Sequence, residues 1–282
     1  MTQAKFSRGL APLSILSVAL LVGGFALVFF YAPNDADQGF VQKIFYLHVP
    51  LAIVALCGFV AGGVYGIRFL RKGDRTDDLR SYVAIHISLV LAVGVLVTGG
   101  VYGLRYLRSG DRLHDLRSYV AIHLSLILAV GALITGSIWA KASWGSWWVW
   151  DEPTLVSFLI VFLLYACYQP LRFSIEDPER QARYAAVFAI IGGAFVPLNF
   201  MAVRAAQSLV HPRVLSTTGG AMPGSMRLTF LVCLAGMALT FITLNKYELT
   251  SKSASFALRR LKRRMAGDDD WVPVRRSAAP QL

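Results

Sequence analysis

Charge is scarce in this chain, and so is sulfur. Asp, Glu, Lys and Arg make up 16% of the 282 residues, and there are three cysteines. Cys57, Cys167 and Cys233 stand far apart inside apolar runs with no Cys-x-x-Cys spacing, which excludes disulfide and thiol-exchange chemistry and leaves them as small core residues. A Walker-type phosphate loop is absent, so the chain does not hydrolyse ATP by that route. No serine or cysteine motif accompanies the histidines, so no nucleophile, base and acid come together and no catalytic residue is assigned. Acidic residues are also outnumbered, 16 against 28 Lys and Arg, for a formal charge of +12. The basic residues sit in short loops between apolar runs and in the stretch Arg259, Arg260, Lys262, Arg263, Arg264. The bias of Lys and Arg toward the cytoplasmic side of a membrane explains that placement, and a nucleic-acid partner is not expected.

Apolar residues are abundant, at 56% of the chain. Seven stretches are long and uncharged enough to cross a bilayer, near 10–31, 44–67, 81–104, 118–140, 154–171, 184–203 and 228–244. The first follows Lys5 and Arg8 but is too long for a signal-peptide core, so it is expected to stay as a helix. The pattern predicts an all-α, polytopic membrane helix bundle. Residues 1–265 form the membrane domain and 266–282 a polar, cytoplasmic tail.

Residues 63–99 recur as 100–136 with 28 of 37 positions identical. Each copy holds a basic loop and an apolar segment, Ser81–Gly99 and Ser118–Gly136. Lys5 and Arg8 place the N-terminus inside, and the basic run after the last apolar stretch places the C-terminus inside as well. Counting inward from both ends, the two halves agree only if one crossing joins Arg80 to Trp139, whereas the sequence offers two. One apolar copy is therefore expected to be re-entrant or displaced, aided by Gly99 and Gly100, rather than a regular seventh helix. Labelling of a cysteine at Ser109 only from the outside would overturn this expectation. The duplication also copies Tyr82 with His86 as Tyr119 with His123. Each pair lies about one turn past a basic loop, where a hydrogen bond to a carbonyl or a lipid headgroup suffices.

Between Trp144 and Asp151 the chain reads Trp-Gly-Ser-Trp-Trp-Val-Trp-Asp, four of its six tryptophans in eight residues. One or two indoles near a helix end serve as membrane anchors. Four of them, with a glycine and a carboxylate, exceed that need and suit a flat aromatic ligand. Charge topology puts this outward loop, 139–153, on the same side as His48, in Phe-Tyr-Leu-His-Val-Pro, and His211, in Leu-Val-His-Pro-Arg. Two neutral imidazoles suit six-coordinate haem iron, and indoles suit the porphyrin edge. Zinc, with Asp151 as a third ligand, stays open as an alternative that leaves the tryptophans unexplained. Asp151 is expected to orient an indole N–H or to cap the helix that starts near Pro153. Arg204 and Arg213, near His211, are candidates to pair with propionates.

The Trp-Gly-x-x-Trp-x-Trp-Asp motif between two outward histidines resembles the haem-handling "WWD" proteins of cytochrome c assembly, most closely the CcmC type. The stretch from Tyr31 to Gly39 leading to Phe45–Ala52, the Thr-Gly-Ser-Ile-Trp-Ala-Lys lead-in to Trp144, and residues 197–211 are similar as well. The resemblance covers nearly the whole chain except the second repeat copy and the tail. It implies six helices plus the extra copied segment, with His48 and His211 as axial ligands of a transiently bound haem b. Trp144, Gly145, Trp147, Trp148, Trp150 and Asp151 would form the platform for the porphyrin edge. It further implies a multi-pass protein of the bacterial inner membrane that is not an enzyme. Such a protein would present haem to the chaperone CcmE beside the transporter pair CcmA and CcmB, with CcmD. A lyase of the CcsA or CcmF type, a bis-histidine b-type electron carrier, and a structural subunit with a tryptophan belt are the competing readings.

Overall fold

In the computed structural model, residues 7–71, 112–206, 208–211 and 222–265 are described. They are helical except for turns and one isolated bridge, Asp35 to Gly39. We number the helices α1 (Leu10–Phe30), α2 (Phe45–Arg71, preceded by a 3-10 turn Phe40–Ile44), α3 (Arg112–Trp144), α4 (Pro153–Ala166), α5 (Tyr168–Phe173), α6 (Pro178–Ala205) and α7 (Gly224–Met265). Among the described residues, six helical segments are long and apolar enough to cross a membrane, with α4 and α5 forming one of them. The fold is an all-α membrane helix bundle. The expected re-entrant segment Ser81–Gly99, with His86 and Ser109, lies outside the described residues, as do Arg213 and the tail.

The bundle is assembled on α2. Lipid offers no hydrophobic drive between helices, so close association needs small residues that let backbones meet. Gly58 and Gly62, one turn apart, face α3: a Cβ on Gly62 would stand 2.5 Å from Ile122 Cγ1, and one on Gly58 would run into Ser125 Oγ. Ser118 Oγ donates to Gly62 O at 2.7 Å. Farther along, Leu51 reaches Gly131 and His48 reaches Gly136. The register 62 to 118, 51 to 131 and 48 to 136 makes α2 and α3 antiparallel, which brings His48 and Trp139 to one end of the bundle. Arg71 and Arg112 accordingly stand at the same end of the pair.

Gly63 turns the other way. A Cβ there would lie 2.7 Å from Ala189 O and 3.2 Å from Gly193 Cα, both on α6. Tyr165 of α4 stacks on Phe59 at 3.9 Å and donates to its carbonyl, which closes the core between α2, α4 and α6. On the opposite flank α1 and α7 run antiparallel, with Gly24 on Cys233, Leu20 on Gly236, and Ser17 bonded to Thr243 at 2.8 Å.

Ionic groups inside the bundle are partnered. Lys43 reaches back to the end of α1 and donates to Val28 O at 2.8 Å and Ala32 O at 3.2 Å, satisfying carbonyls that a helix terminus leaves open. At the far end, Arg172 grips Asp115 through two parallel bonds of 2.7 and 2.6 Å and also donates to Tyr168 at 3.2 Å. This fork-to-fork pair ties α5 to the first turns of α3. His123 lies in the same region, stacked on Tyr119 and bonded through Nδ1 to Gln169 at 3.2 Å. Asp177 caps α6, with Pro178 as its first residue.

The fold places its least tolerant glycine at Gly63, where the neighbours are backbone and cannot swing aside. Gly63→Val should lower thermal stability in detergent by about 1–3 kcal/mol or more, the usual cost of overpacking. Gly23→Ala, with nothing within 4 Å of the new Cβ, should be close to neutral.

Candidate functional site

Four helix ends meet at one end of the bundle: the start of α2, the end of α3, the start of α4 and the end of α6. Between them lies a cavity of about 250 Å³. His48, Trp139, Trp144, Trp148, Arg204 and His211 line it near the loops, and apolar side chains such as Leu56, Phe158 and Val196 line its deeper part. Residues 163 positions apart in sequence, His48 and His211, thus share one chamber.

His48 is held in a defined orientation. Its Nδ1 is 3.0 Å from Ala132 O and 3.2 Å from Thr135 Oγ1. A carbonyl only accepts, so Nδ1 carries the proton and Nε2 keeps its lone pair, the form in which imidazole ligates a metal. Gly136 makes room for this: a Cβ there would stand 2.7 Å from His48 Cε1. Trp139 lies edge-on to His48 at 5.7 Å and to His211 at 6.5 Å, and Trp144 is edge-on to His211 at 6.1 Å. Trp139 is itself fixed, donating Nε1–H to Gln38 Oε1 at 2.8 Å, while Ser143 donates to the same oxygen at 3.3 Å. Gln38 is presented by a turn in which Asp35 Oδ1 accepts from the backbone N–H of Asp37 and Gln38.

The tryptophan segment begins where α3 ends at Gly145, whose φ of +75° suits glycine. Its neighbourhood within the described residues is open, so it is the backbone conformation that a side chain would strain here. Trp148 lines the cavity, and its buried Nε1–H has no partner among the described residues. Trp147 and Trp150 remain 59% and 70% exposed. Of the expected platform, then, Trp144 and Trp148 reach the cavity, and Gly145, Trp147, Trp150 and Asp151 do not line it. Arg204 does line it, with its guanidinium 5.3 Å from the centre of the Phe200 ring.

Two expectations for Asp151 need correction. The residue is exposed, and the cap of α4 is Glu152, which accepts from Thr154 N at 3.4 Å. With Pro153 in the first helical position, the capping position falls on the residue directly before it. Nor does an acid orient the Trp139 N–H, which is taken by Gln38. Among the described residues, no three His, Cys, Asp or Glu side chains group as a metal cage, so Asp151 does not complete a zinc set with the two histidines.

Glu152 was not singled out by sequence, and it is fully buried. Its Oε2 accepts from the backbone N–H of Leu209 and Val210 at 2.9 Å and of His211 at 3.2 Å. Burial pushes this carboxyl up, but the N–H groups of Val210, His211, Leu209 and Thr154 outweigh it and hold the group down at about 2. The sign follows from a value below the ordinary 4.5: the stabilisation is complete above about 4.5 and is lost as pH falls toward 2. Amide exchange at residues 209–211, corrected for intrinsic rates, should stay slow from neutral pH to about 5 and accelerate below about 4. In histidine-labelled protein, nitrogen NMR should find His48 protonated on Nδ1, and Gly136→Ala should displace that signal by crowding the ring.

The model of the family described as heme exporter protein C (CcmC) matches residues 2–107 and 110–265, with its break inside the second repeat copy. Heme exporter protein C of Paracoccus denitrificans (strain Pd 1222) is 29% identical over 217 residues, 76% of this chain and 74% of that protein. The protein of the same name from Escherichia coli (strain K12) is 29% identical over 186 residues, 66% of this chain and 60% of that protein. A putative cytochrome c biosynthesis ccmC-like mitochondrial protein of Marchantia polymorpha is 28% identical over 204 residues, 72% of this chain and 70% of that protein. The family match extends through every helix that borders the cavity, and the chain belongs to the heme exporter protein C (CcmC) family.

Proposed function

We propose that this chain holds haem in the cavity between His48 and His211 and passes it on during the assembly of c-type cytochromes. The observation that carries the proposal is the pair of imidazoles on one apolar chamber, one of them fixed with its Nε2 lone pair unprotonated. The chamber suits a tetrapyrrole in two further respects. Its deep part is hydrocarbon, as the porphyrin core and vinyl groups require. Its loop end carries the Arg204 guanidinium, a donor that matches propionate carboxylates.

The roles divide among the residues. His48 and His211 supply axial nitrogens to iron, and Trp139 sets the spacing between the two rings. Trp144 and Trp148 wall the chamber. Trp147, Trp150 and Asp151, exposed beside it, offer a surface for the recipient, a haem chaperone of the CcmE type, with CcmA, CcmB and CcmD as companions in the export complex. Haem b, bound transiently, is cargo, and none of these residues performs covalent chemistry on it.

Sidedness follows from charge. α7 starts beside the chamber, where Met226 and Phe230 pack with Phe45 and Trp139, and it ends in the basic run Arg259–Arg264. The positive-inside rule puts that end in the cytoplasm and the chamber on the outer side of the inner membrane. A lyase-type reading would enlist His123, whose Nδ1 is engaged with Gln169 at the other end of the bundle.

Protein purified from haem-replete membranes should carry a Soret band of low-spin, bis-histidine haem. His48→Ala and His211→Ala should each reduce retained haem several-fold and shift the band. An unchanged spectrum in both variants would count against ligation, and failure to trap a haem adduct on a co-expressed chaperone would count against handover.

A further inference from the structure

One face of α3 serves both imidazoles of the chamber. Ala132, Thr135, Gly136, Trp139 and Ser143 follow the i, i+3, i+4, i+7 and i+11 spacing that stacks side chains along one side of a helix. His48 bonds to one end of this stripe, at Ala132 O and Thr135 Oγ1. Gln38 closes the other end, where its Oε1 accepts from Trp139 Nε1–H at 2.8 Å and from Ser143 Oγ at 3.3 Å. Trp139 stands between the two, buried, with its ring edge-on to His48 at 5.7 Å and to His211 at 6.5 Å.

Gln38 is itself placed by a turn built for the purpose. Asp35 Oδ1 accepts from the N–H groups of Asp37 and Gln38 at 3.0 and 2.9 Å, and Asp35 O accepts from Gly39 N at 3.0 Å. Gly39, at a φ of +57°, completes the turn in a conformation that a side chain would strain. Neither Asp35 nor Gln38 lines the chamber, yet their turn reaches the indole that meets both rings. A buried N–H left without an acceptor costs more than an ordinary hydrogen bond gains, so the indole takes the tilt at which Gln38 can be reached. That tilt decides the room left for each imidazole.

We propose that Gln38 is a positioning residue of the haem site: by fixing the tilt of Trp139 it sets the angle between the planes of the His48 and His211 rings, and with it the strength of bis-histidine ligation. This rests on the haem reading above. It makes the loop between α1 and α2 a part of the site, acting through an indole and not by contact with the cargo.

The test uses the full-length protein in detergent. Gln38→Leu keeps bulk and removes the acceptor, Gln38→Glu keeps reach and acceptor, and Trp139→Phe keeps a ring and removes the donor. Without haem, NMR follows the Trp139 indole N–H and the ring protons of His48 and His211, which the indole ring current displaces, with the ring protons of His123 at the other end of the bundle as a control. With haem, paramagnetic resonance of the ferric state reads the spread of g values, which reports the angle between two axial imidazole planes, and transfer to excess apomyoglobin reads the rate of haem loss. Gln38→Leu should move the indole signal and the His48 and His211 protons, leave His123 in place and change the g-value spread. It should also speed haem loss about two- to tenfold, the range that one hydrogen bond commands. Gln38→Glu should return the signals and the spectrum to those of the unaltered chain. In the Trp139→Phe background, Gln38→Leu should have no further effect, because the residue acts through the indole.

An indole signal unmoved by Gln38→Leu would overturn the proposal, and so would a moved indole signal with unaltered histidine protons and g values. A g-value change of the same size in the Trp139→Phe background would overturn it too, by showing that Gln38 acts along another route. So would displacement of the His123 signal together with the rest, which marks a general loss of structure and not a local hold. If the unaltered chain takes up no haem, the haem reading itself fails, and the histidine ring protons still decide whether Gln38 places the two imidazoles.

Discussion

The close approach of α2 to α3 is the constraint on which the rest of this molecule depends. Two helices in lipid gain nothing by hiding apolar surface from one another, so their contact is made by removing side chains. Gly58 and Gly62 do this along the seam with α3, and Gly136 does it at the chamber, where the volume released is taken by the His48 ring. One run of contacts thus sets the register of the helices, the position of the His48 ring and the depth of the cavity. A shift of α3 by a single turn would separate His48 from the Ala132 carbonyl and carry Trp139 away from both imidazoles.

Polar groups in the chamber region are arranged as a chain of supports. Asp35 shapes the turn that presents Gln38, Gln38 holds Trp139, and Trp139 stands between His48 and His211. Glu152 and Lys43 are buried ionic groups whose cost is offset by backbone partners, carbonyls for the cation and N–H groups for the anion. This is the expected solution in a site that must exclude water. Trp148 Nε1 stands out against that pattern as a buried donor with no partner among the described residues.

Much of this was legible from the residues alone. Apolar runs of bilayer length located the spans, and charge counting around the repeat put His48 and the tryptophan segment together, as the antiparallel α2 and α3 do. The two histidines and the tryptophan segment could be put on one side of the membrane by the same parity argument. What sequence could not supply was the set of tertiary hydrogen bonds. Nothing local marks Gln38 as the partner of Trp139, or Thr135 and Ala132 as those of His48, because those contacts depend on helix register. Glu152 carried a readable signal as the residue before a proline that opens a helix, but Asp151, next to the tryptophans, drew the capping role instead. Its bonds to residues 209–211 link segments far apart in the chain and leave no periodicity behind.

One feature of the bundle reaches well beyond the chamber. α7 is a single helix of 42 residues without proline, about 63 Å long at the usual rise, against a hydrocarbon core of about 30 Å. Its first turns pack on Phe45 and Trp139, while its last turns carry Arg259 and Lys262. The same rod that braces the wall of the chamber is therefore about twice as long as a hydrocarbon core is thick.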